Sequence, residues 1–270
     1  MKIREFVKKS QLISCWYIST RFYLRTIPVP QLRISRRLID PKVSRLGGKH
    51  GWNFLDRDYL RNATIISVGL GEDASFDTEF CRKYAATVVI LDPTPKAIKH
   101  FQEIGTNFGN SNSSQYSLGG KQPINSYNLV DINSKNFKFI PNALWTSSGE
   151  TKFYLPKNES DNSYSITNSQ SSEKYIQVKC TTYLELLEFL GLRPEQISLI
   201  KLDIEGAASE VICDILSHNA GPRQILVEFE EIFMPSIRNY IKIRKVLQSL
   251  ERSGYKLKYN DRFANFLFEK

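Results

Sequence analysis

The residues best suited to chemistry in this chain are glycines and acidic side chains that directly follow short apolar segments. Continuous apolar segments of this kind are typical of strands buried on both faces of a parallel sheet. Ligands of such sheets bind at the carboxyl ends of the strands, so these residues are expected to meet along one edge. In chain order they are Gly69, Gly71, Asp92, Asp203, Glu205 and Glu228.

The segment Ala63–Pro95 predicts a strand, a tight turn, a helix with Ser75 as its N-cap, and a second strand. Gly69 and Gly71 would let the backbone bend sharply and approach a ligand closely, which a Cβ atom would prevent. Asp92 follows the second strand and lies 21 residues after Gly71, where an acid suits ribose hydroxyls. The segment therefore predicts a nucleoside-binding site.

Glu72 and Asp73, at the mouth of the predicted helix, bear on which nucleoside is bound. In dinucleotide enzymes the pyrophosphate occupies this helix end, drawn by free amides and by the helix dipole. Two carboxylates would repel it, whereas S-adenosylmethionine has no phosphate and carries a sulfonium and an ammonium. An alternative is that the acids only complement the helix dipole, which does not restore a pyrophosphate site. The pattern favours S-adenosylmethionine as the cofactor.

The rest of the chain supplies the elements that would position these residues. Five strand–helix units are predicted, and the strand Phe137–Trp145 would end beside the first strand. Asn142 and Ala143 would then lie against an adenine, or Asn142 is a turn residue at the strand end. Two closing strands, Tyr255–Tyr259 and Phe263–Phe268, predict a terminal antiparallel hairpin. The predicted fold class is α/β, a Rossmann-like class I methyltransferase with a seven-stranded, mostly parallel sheet.

Charge divides the chain into two regions. Residues 1–62 hold 14 Lys or Arg and 4 Asp or Glu, a net charge of +10, whereas the remainder has a net charge of −1, against +9 overall. We therefore predict a basic, helical N-terminal extension over 1–62 and a Rossmann-like domain over 63–270, with mobile polar insertions at 105–136 and 157–174. The extension is interpreted as a packing arm with solvated charges. Contact with an anionic membrane surface or with a phosphate-bearing substrate stays open.

Composition is that of an ordinary globular protein, with 41% hydrophobic and 24% charged residues. No apolar stretch approaches the ~20 residues of a membrane span, and no small-residue cleavage site of a secretion signal is present. The four cysteines are scattered without the spacing of a zinc or redox motif, which indicates a reducing compartment. A cytoplasmic location is predicted, with peripheral contact at the inner face of a membrane as a further hypothesis.

Several short motifs occur in an order that resembles the FkbM-type S-adenosylmethionine-dependent methyltransferases. They are VGLGEDASFD at 68–77, LDPTP at 91–95, SYSITN at 163–168, IKLDIEGA at 200–207 and LVEFE at 226–230. The resemblance implies a Rossmann-like fold and O-methylation of sugar or polyketide hydroxyls, and the chain differs from many members at Ser67 and Asp73. The cofactor-binding candidates are then Gly69, Gly71, Glu72, Asp73, Ser75, Phe76, Asp92, Pro93, Asn142 and Ala143.

The predicted reaction is in-line displacement of the sulfonium methyl group by an acceptor hydroxyl. The protein must mainly align the reacting atoms, which can contribute about 7–11 kcal/mol. We assign Asp203 as the carboxylate that accepts the hydroxyl proton, with Glu205 and Glu228 as second choices. Asp203 could instead hold the methionine ammonium or cap the next helix. The three acids could also hold Mg²⁺, but a metal-free site is favoured because no second diagnostic acid pair is visible.

The acceptor is predicted to be a hydroxyl of a sugar, glycan or secondary metabolite, with no nucleic-acid partner. Enzymes that methylate nucleic-acid bases need an aromatic platform and an amide or proline-rich turn after the fourth strand, whereas this chain has Asp203-Ile-Glu-Gly206. Two further classes are alternatives: a protein that binds S-adenosylmethionine without catalysis and, less favoured, an NAD-dependent oxidoreductase. Binding of labelled S-adenosylmethionine, NAD and NADP would separate the oxidoreductase from the others.

Overall fold

The computed structural model describes residues 11–155, 164–167 and 172–270, with side chains from residue 16 onward. The helices are α1 (Gln11–Arg25), α2 (Ser75–Tyr84), α3 (Pro95–Gly105), α4 (Tyr183–Leu190), α5 (Ala208–Ser217) and α6 (Ile237–Arg252). The strands are β1 (Val43–Leu46), β2 (Trp52–Leu55), β3 (Thr64–Val68), β4 (Thr87–Leu91), β5 (Phe137–Ile140), β6 (Ala143–Leu144), β7 (Gly149–Tyr154), β8 (Tyr175–Thr181), β9 (Ile197–Leu202), β10 (Gln224–Glu228), β11 (Lys256–Asn260) and β12 (Asn265–Glu269).

A seven-stranded sheet forms the centre of the molecule, in the order β11–β12–β10–β9–β3–β4–β5. The strands from β10 to β5 are parallel, and β12 runs antiparallel to both β10 and β11. The predicted α/β fold with a mostly parallel sheet and a terminal hairpin is confirmed. Val68 pairs with Leu91 on one side and with Leu202 on the other, so the residues that follow β3, β4 and β9 meet at one edge.

The predicted strand Phe137–Trp145 is divided into β5 and β6, because Pro141 has no N–H group to continue the ladder. β5 pairs with β4 at the outer edge of the central sheet, so the prediction that this segment ends beside the first strand is wrong. β6 instead pairs with β8 in a separate three-stranded sheet with β7. Asn142 lies at the break, and Ala143 begins β6.

Helices cover both faces of the central sheet and give the molecule a three-layer core. On one face α4, α5 and α6 pack on the strands through residues such as Leu186, Val211 and Ile243. On the other face α2, α3 and β2 do so, with Phe80 and Phe54 among the contacts. A sheet covered on both faces needs apolar strands, and all six residues of β9 are buried.

The N-terminal region differs from the predicted helical extension. α1 packs Phe22 into the core, but residues 43–55 form an antiparallel hairpin of β1 and β2. Trp52 and Phe54 of this hairpin are buried, so part of the basic region 1–62 belongs to the folded body. The sequence signal for the β1–β2 hairpin was a group of glycines between two segments with alternating apolar residues.

The segment 105–136 is folded onto the domain, in contrast to the predicted mobile insertion. Tyr127, Leu129 and Ile132 are buried, and the Tyr127 hydroxyl accepts a hydrogen bond from the Ala74 N–H at 3.0 Å. These apolar anchors hold an otherwise polar segment against the turn before α2. Most of the second predicted insertion, 157–174, lies outside the described residues.

None of the helices in the described ranges combines the length and the apolar composition that crossing a membrane requires.

Candidate active site

A cavity of about 640 Å³ lies at the carboxyl ends of β3, β4, β9 and β10, and we call it the sheet-edge cavity. Cavities of this size bind small molecules and cofactors. Asn142 is the predicted site residue that does not line it. The predicted residues that do line it are Gly69, Gly71, Glu72, Asp73, Ser75, Phe76, Asp92, Pro93, Ala143, Asp203, Glu205 and Glu228.

The turn after β3 comes very close to the end of β9. Gly69 has a φ of +84°, a conformation that favours glycine. A Cβ atom there would lie well inside van der Waals contact with the carbonyl oxygen of Asp203, whose N–H donates to Val68 O at 3.0 Å. Glycine at position 69 is therefore required by the neighbouring backbone. At Gly71, in contrast, a Cβ atom would meet nothing within 4 Å, which leaves room for a ligand.

Asp92 fixes the same turn from the side of β4. Its Oδ2 accepts hydrogen bonds from the N–H groups of Leu70 and Gly71, both at 2.9 Å. Its Oδ1 accepts from the N–H and the hydroxyl of Thr94, at 2.8 and 2.6 Å. The roughly four lone-pair positions of a carboxylate are thus filled within the protein. Asp92 lines the cavity, and these hydrogen bonds make it a positioning residue for the turn.

Two amides at the start of α2 are also engaged within the protein. Asp73 Oδ1 accepts from the Ser75 N–H at 2.9 Å, and Tyr127 accepts from the Ala74 N–H. Ser75 is not the N-cap residue that its position suggested, and its hydroxyl accepts from the Gly48 N–H at 2.8 Å. The Asp73 carboxylate thus accepts from an amide at the start of α2, which agrees with the alternative that this acid complements the helix dipole. Asp73 also lines the cavity.

Glu72 forms an ion pair at the rim of the cavity, with 2.8 Å between its Oε1 and Lys121 Nζ. The side chain of Lys121 is 73% exposed, so solvent screens this pair. Gly119 and Gly120 line the cavity next to Lys121. The segment 105–136, which the sequence analysis left outside the site, therefore builds part of its wall.

Acidic side chains from the ends of β9 and β10 crowd the other part of the cavity. Burial raises the pKa of Glu228 to about 9, and the charges of Asp203 and Glu205 add to the shift. Burial likewise raises the pKa of Glu230 to about 10, with Glu205 as its main charged neighbour. Glu228 and Glu230 are therefore protonated at neutral pH and can donate hydrogen bonds.

Asp203 is the acid of this group that lies beside a buried cation. Its Oδ2 is 3.9 Å from Lys201 Nζ, and its side chain is 40% exposed to the cavity. The surrounding protein raises the pKa of Asp203 through burial, the charge of Lys201 opposes this shift, and the charge of Glu205 adds to it. A carboxylate with a raised pKa that stays open to a ligand is a suitable proton acceptor.

Lys201 is a site residue that the sequence analysis missed. Its side chain is 4% exposed, and its Nζ donates to Gly69 O at 2.6 Å. The ammonium also lies 5.5 Å from the centre of the Trp52 ring, within cation–π range. The sequence signal was a single lysine in a strand whose other residues are apolar except for Ser198, because lysine is rarely buried without a partner.

A second cavity, of about 400 Å³, adjoins the first, and we call it the hairpin cavity. The β1–β2 hairpin and the turn between β11 and β12 supply most of its lining. The two cavities share His50, Trp52, Asp203 and Glu228. Asp203 and Glu228 therefore lie where the two spaces meet. His50 and Trp52 were missed because the basic N-terminal region was interpreted as an extension.

Within the ranges that the structure describes, no group of three or more His, Cys, Asp or Glu side chains is arranged to hold a metal ion. Asp203, Glu205 and Glu228, which the sequence suggests as Mg²⁺ ligands, belong to no such group. The free cysteines Cys81, Cys180 and Cys213 line neither cavity.

The sequence profile of the FkbM methyltransferase domain matches residues 62–257. This range contains the glycine turn, Asp92 and the acids after β9 and β10. The chain belongs to the FkbM methyltransferase family. The resemblance expected from the motifs is confirmed, and the central sheet is that of a Rossmann-like class I methyltransferase. The FkbM domain match leaves out the β1–β2 hairpin and β12, although both pack into the same body.

Three solved methyltransferase structures are similar to the chain, each covering 84% of it. They are the aminoglycoside resistance methyltransferase NpmB1 (11% identity, 98% of that chain, TM-score 0.34), an antibiotic-related methyltransferase (10%, 98%, 0.33) and a 16S rRNA (adenine(1408)-N(1))-methyltransferase from Catenulisporales acidiphilia (11%, 95%, 0.32). At these TM-scores the similarity carries no argument about the acceptor of this FkbM-family chain. No curated protein matches the chain.

Proposed function

We propose that this chain transfers a methyl group from S-adenosylmethionine to a hydroxyl of a sugar, a glycan or a secondary metabolite. The observation that carries the proposal is how the turn between β3 and α2 uses its amides. The N–H groups of Leu70, Gly71, Ala74 and Ser75 all donate within the protein. A dinucleotide enzyme needs such amides free for a pyrophosphate, so a donor without phosphate fits this turn better.

The charge of the sheet-edge cavity also suits a cationic donor. Glu72, Asp73 and Asp203 contribute carboxyl groups to its lining. When bound, S-adenosylmethionine supplies a methyl carbon made electrophilic by its sulfonium. Pro93 and Ala143 offer apolar surface for the adenine on the β4 side of the cavity, and the open space at Gly71 lets the ligand lie against the backbone.

Asp203 is proposed to accept the proton of the acceptor hydroxyl. As the oxygen–carbon bond forms, the carbon–sulfur bond breaks, its electron pair stays on the sulfur, and the hydroxyl proton moves to the Asp203 carboxylate. Asp203 is preferred to Glu228 because Lys201 lies beside Asp203 and favours its ionised form, whereas the charged neighbours of Glu228 are the acids Asp203 and Glu205. Lys201 binds Gly69 O and pairs with Asp203, so it positions the acid next to the glycine turn. Such proton transfer contributes about 10²–10⁴-fold to the rate.

The acceptor is proposed to be a small molecule or glycan and not a nucleic acid. Asp203 and Glu205 follow β9, where enzymes that act on flipped bases place amide and aromatic groups. Two acids at this point suit the polarity of a hydroxyl acceptor.

Calorimetry with the full chain tests the donor. S-adenosylhomocysteine is expected to bind, and NAD and NADP are expected not to bind at the same concentrations. Binding of a dinucleotide without S-adenosylhomocysteine would overturn the donor assignment and restore the oxidoreductase alternative.

Methyl transfer is then tested by mass spectrometry of glycan and small-metabolite extracts incubated with the chain and isotope-labelled S-adenosylmethionine. A product that gains one labelled methyl group supports the enzyme. If S-adenosylhomocysteine binds and no extract gains label, the chain is a binding protein without catalysis.

We also propose that the protein works in the cytoplasm with α1 in peripheral contact with an anionic membrane. Trp16 and Leu24 of α1 are 71% and 62% exposed, and Ile27, two residues after the helix, is 63% exposed. Arg21 and Arg25 lie on α1 as well. Exposed apolar side chains next to arginines bind the headgroup boundary of anionic bilayers.

Co-sedimentation with vesicles checks this contact. The chain is expected to bind vesicles that contain phosphatidylserine and not those of phosphatidylcholine alone. Trp16→Ser with Leu24→Ser should release it, while Leu118→Ser, at a site 79% exposed on another segment, should not. Equal behaviour of these variants would remove α1 from the contact.

A further inference from the structure

The hairpin cavity adjoins the proposed reaction centre and combines charges of both signs in its lining. Arg45 and Lys49 come from the β1–β2 hairpin. Asp203, Glu228 and Asp261 come from the ends of β9, β10 and β11. A small space with cations from one element and acids from others suits a ligand with two different polar ends.

Arg45 is held in place by its own loop, and most of its donors remain available. Its Nη2 donates to Lys49 O at 2.7 Å and to Gly51 O at 3.0 Å. A guanidinium has five N–H donors, and the others have no partner in the part of the chain that the structure describes. Lys49 Nζ contacts only Leu118 O, at 3.3 Å, among these residues. Neither cation is neutralised by a carboxylate of the described ranges, so both are available to an anion.

The acids around this space do not oppose an anion as strongly as their number suggests. The raised pKa of Glu228 leaves this side chain protonated at neutral pH, so it can donate a hydrogen bond to a hydroxyl. Asp261 shapes the turn between β11 and β12, where its Oδ1 accepts from the N–H groups of Phe263 and Asn265 at 2.7 and 3.1 Å. Asp203 remains as the acid that both cavities share.

We propose that the hairpin cavity is the acceptor site, and that it binds a hydroxyl-bearing compound with an anionic phosphate or carboxylate group. Arg45 and Lys49 pair with the anion, while the hydroxyl lies at Asp203. This inference rests on the proposed function of the sheet-edge cavity. Of the twelve residues that line the hairpin cavity, ten lie outside residues 62–257, so its selectivity comes from segments that the FkbM domain match leaves out.

Calorimetry of the full chain with saturating S-adenosylhomocysteine tests the proposal. The probes are D-glucose 6-phosphate, D-glucuronate and the uncharged methyl D-glucoside, each at low and high ionic strength. Both anionic sugars, or the one whose anion fits, are expected to bind at least about tenfold more tightly than methyl glucoside at low salt, and to lose this advantage at high salt.

Variants assign the effect to the two cations. Arg45→Gln combined with Lys49→Gln should lower the affinity for the anionic probe by about tenfold or more and leave the affinity for S-adenosylhomocysteine within about twofold. The matched control is Arg82→Gln combined with Lys138→Gln, two exposed cations that line neither cavity. The control is expected to behave as the wild type with every probe.

Three results would overturn the proposal. They are equal affinity for charged and uncharged sugars, no change in the Arg45/Lys49 variant, and an RNA oligonucleotide that binds while none of the sugars does. In the first two cases retained binding of S-adenosylhomocysteine leaves the proposed function standing. In the RNA case it leaves the methyl donor standing but contradicts the proposed sugar, glycan or metabolite acceptor. Failure of the wild type to bind S-adenosylhomocysteine is a separate result, and it would contradict the proposed function itself.

Discussion

The sheet-edge cavity and the hairpin cavity share four residues, but different parts of the molecule build them. The first is formed mainly by backbone turns at the ends of β3, β4 and β9, within the range of the FkbM domain. The second is formed mainly by side chains of a hairpin before that range and a turn after it. The proposed donor site is therefore fixed mainly by backbone geometry, whereas the proposed acceptor site depends mainly on side chains from segments outside the domain match.

The strongest test of this contrast is Gly69→Ala, which is expected to abolish binding of S-adenosylhomocysteine. The new Cβ atom would collide with the carbonyl of Asp203, and an L-residue at a φ of +84° is strained. The free energy of unfolding should fall by about 2–4 kcal/mol. Calorimetry and urea denaturation measure the two effects.

The control is Gly254→Ala, which also has a φ of +84° but open space around the added Cβ atom. It carries the conformational strain without the collision, so a loss of only about 1 kcal/mol is expected. Similar losses in both variants would show that strain, and not the contact with β9, requires glycine at position 69.

The next largest effect is expected where the cavities meet, in Asp203→Asn. The amide cannot accept the hydroxyl proton, so kcat for methyl transfer should fall by about 10²–10⁴-fold. The affinity for S-adenosylhomocysteine should stay within about threefold, because the backbone turn is unchanged. Asp214→Asn on α5, which lines neither cavity, is the control. A parallel loss of donor affinity in Asp203→Asn would assign this acid to the methionine ammonium.

A smaller effect concerns stability and pH. Glu228 has an ordinary pKa of 4.5 and a pKa of about 9 in the folded chain. Between these values the folded protein keeps a proton that the unfolded chain has released, so the free energy of unfolding decreases as pH rises from about 5 to 9. Glu228→Gln mimics the protonated group. In this variant the free energy of unfolding should decrease less with rising pH. Near pH 9 the variant should be about 1–3 kcal/mol more stable than the wild type.

Urea denaturation at several pH values measures this dependence. Glu230, with a pKa of about 10, contributes in the same direction, so the variant keeps a part of the slope. An unchanged slope in Glu228→Gln would show that Glu228 is ionised in the folded protein at neutral pH.

The smallest effect is expected at the rim of the sheet-edge cavity, in Lys121→Met. This change removes an exposed ion pair with Glu72, worth about 0.2–1 kcal/mol of stability. If backbone groups fix the shape of this cavity, the affinity for S-adenosylhomocysteine should change by less than about threefold. Lys138→Met serves as the control for loss of an exposed lysine. A much larger loss of donor affinity would show that side chains matter as much here as in the hairpin cavity.

The central sheet was predictable because its strands are local apolar segments with glycine or acid at their ends. Gly69, Asp92 and Asp203 follow such segments, and parallel pairing brings them together whatever their separation in the chain. The terminal hairpin was predictable for the same reason, since β11 and β12 are close in sequence.

Features that depend on contacts between distant segments were not predictable. The hairpin at 43–55 is hidden in a basic region, and its burial depends on the sheet that Trp52 and Phe54 cover. The hydrogen bonds that fill the Asp92 carboxylate depend on how tightly the turn closes. In contrast, the break between β5 and β6 at Pro141 could have been predicted from the sequence, because a proline seldom continues an interior strand.

The loop between β1 and β2 is fastened to α2, and this links events in the two cavities. Gly48 N–H donates to Ser75 Oγ at 2.8 Å, and Gly47 N–H donates to Glu79 Oε2 at 2.7 Å. A ligand that steadies the start of α2 should therefore slow amide hydrogen exchange in this loop, which carries Lys49. Ordering the loop in advance lowers the entropic cost of the second binding event. The protein would then load its two substrates in a preferred sequence, donor before acceptor.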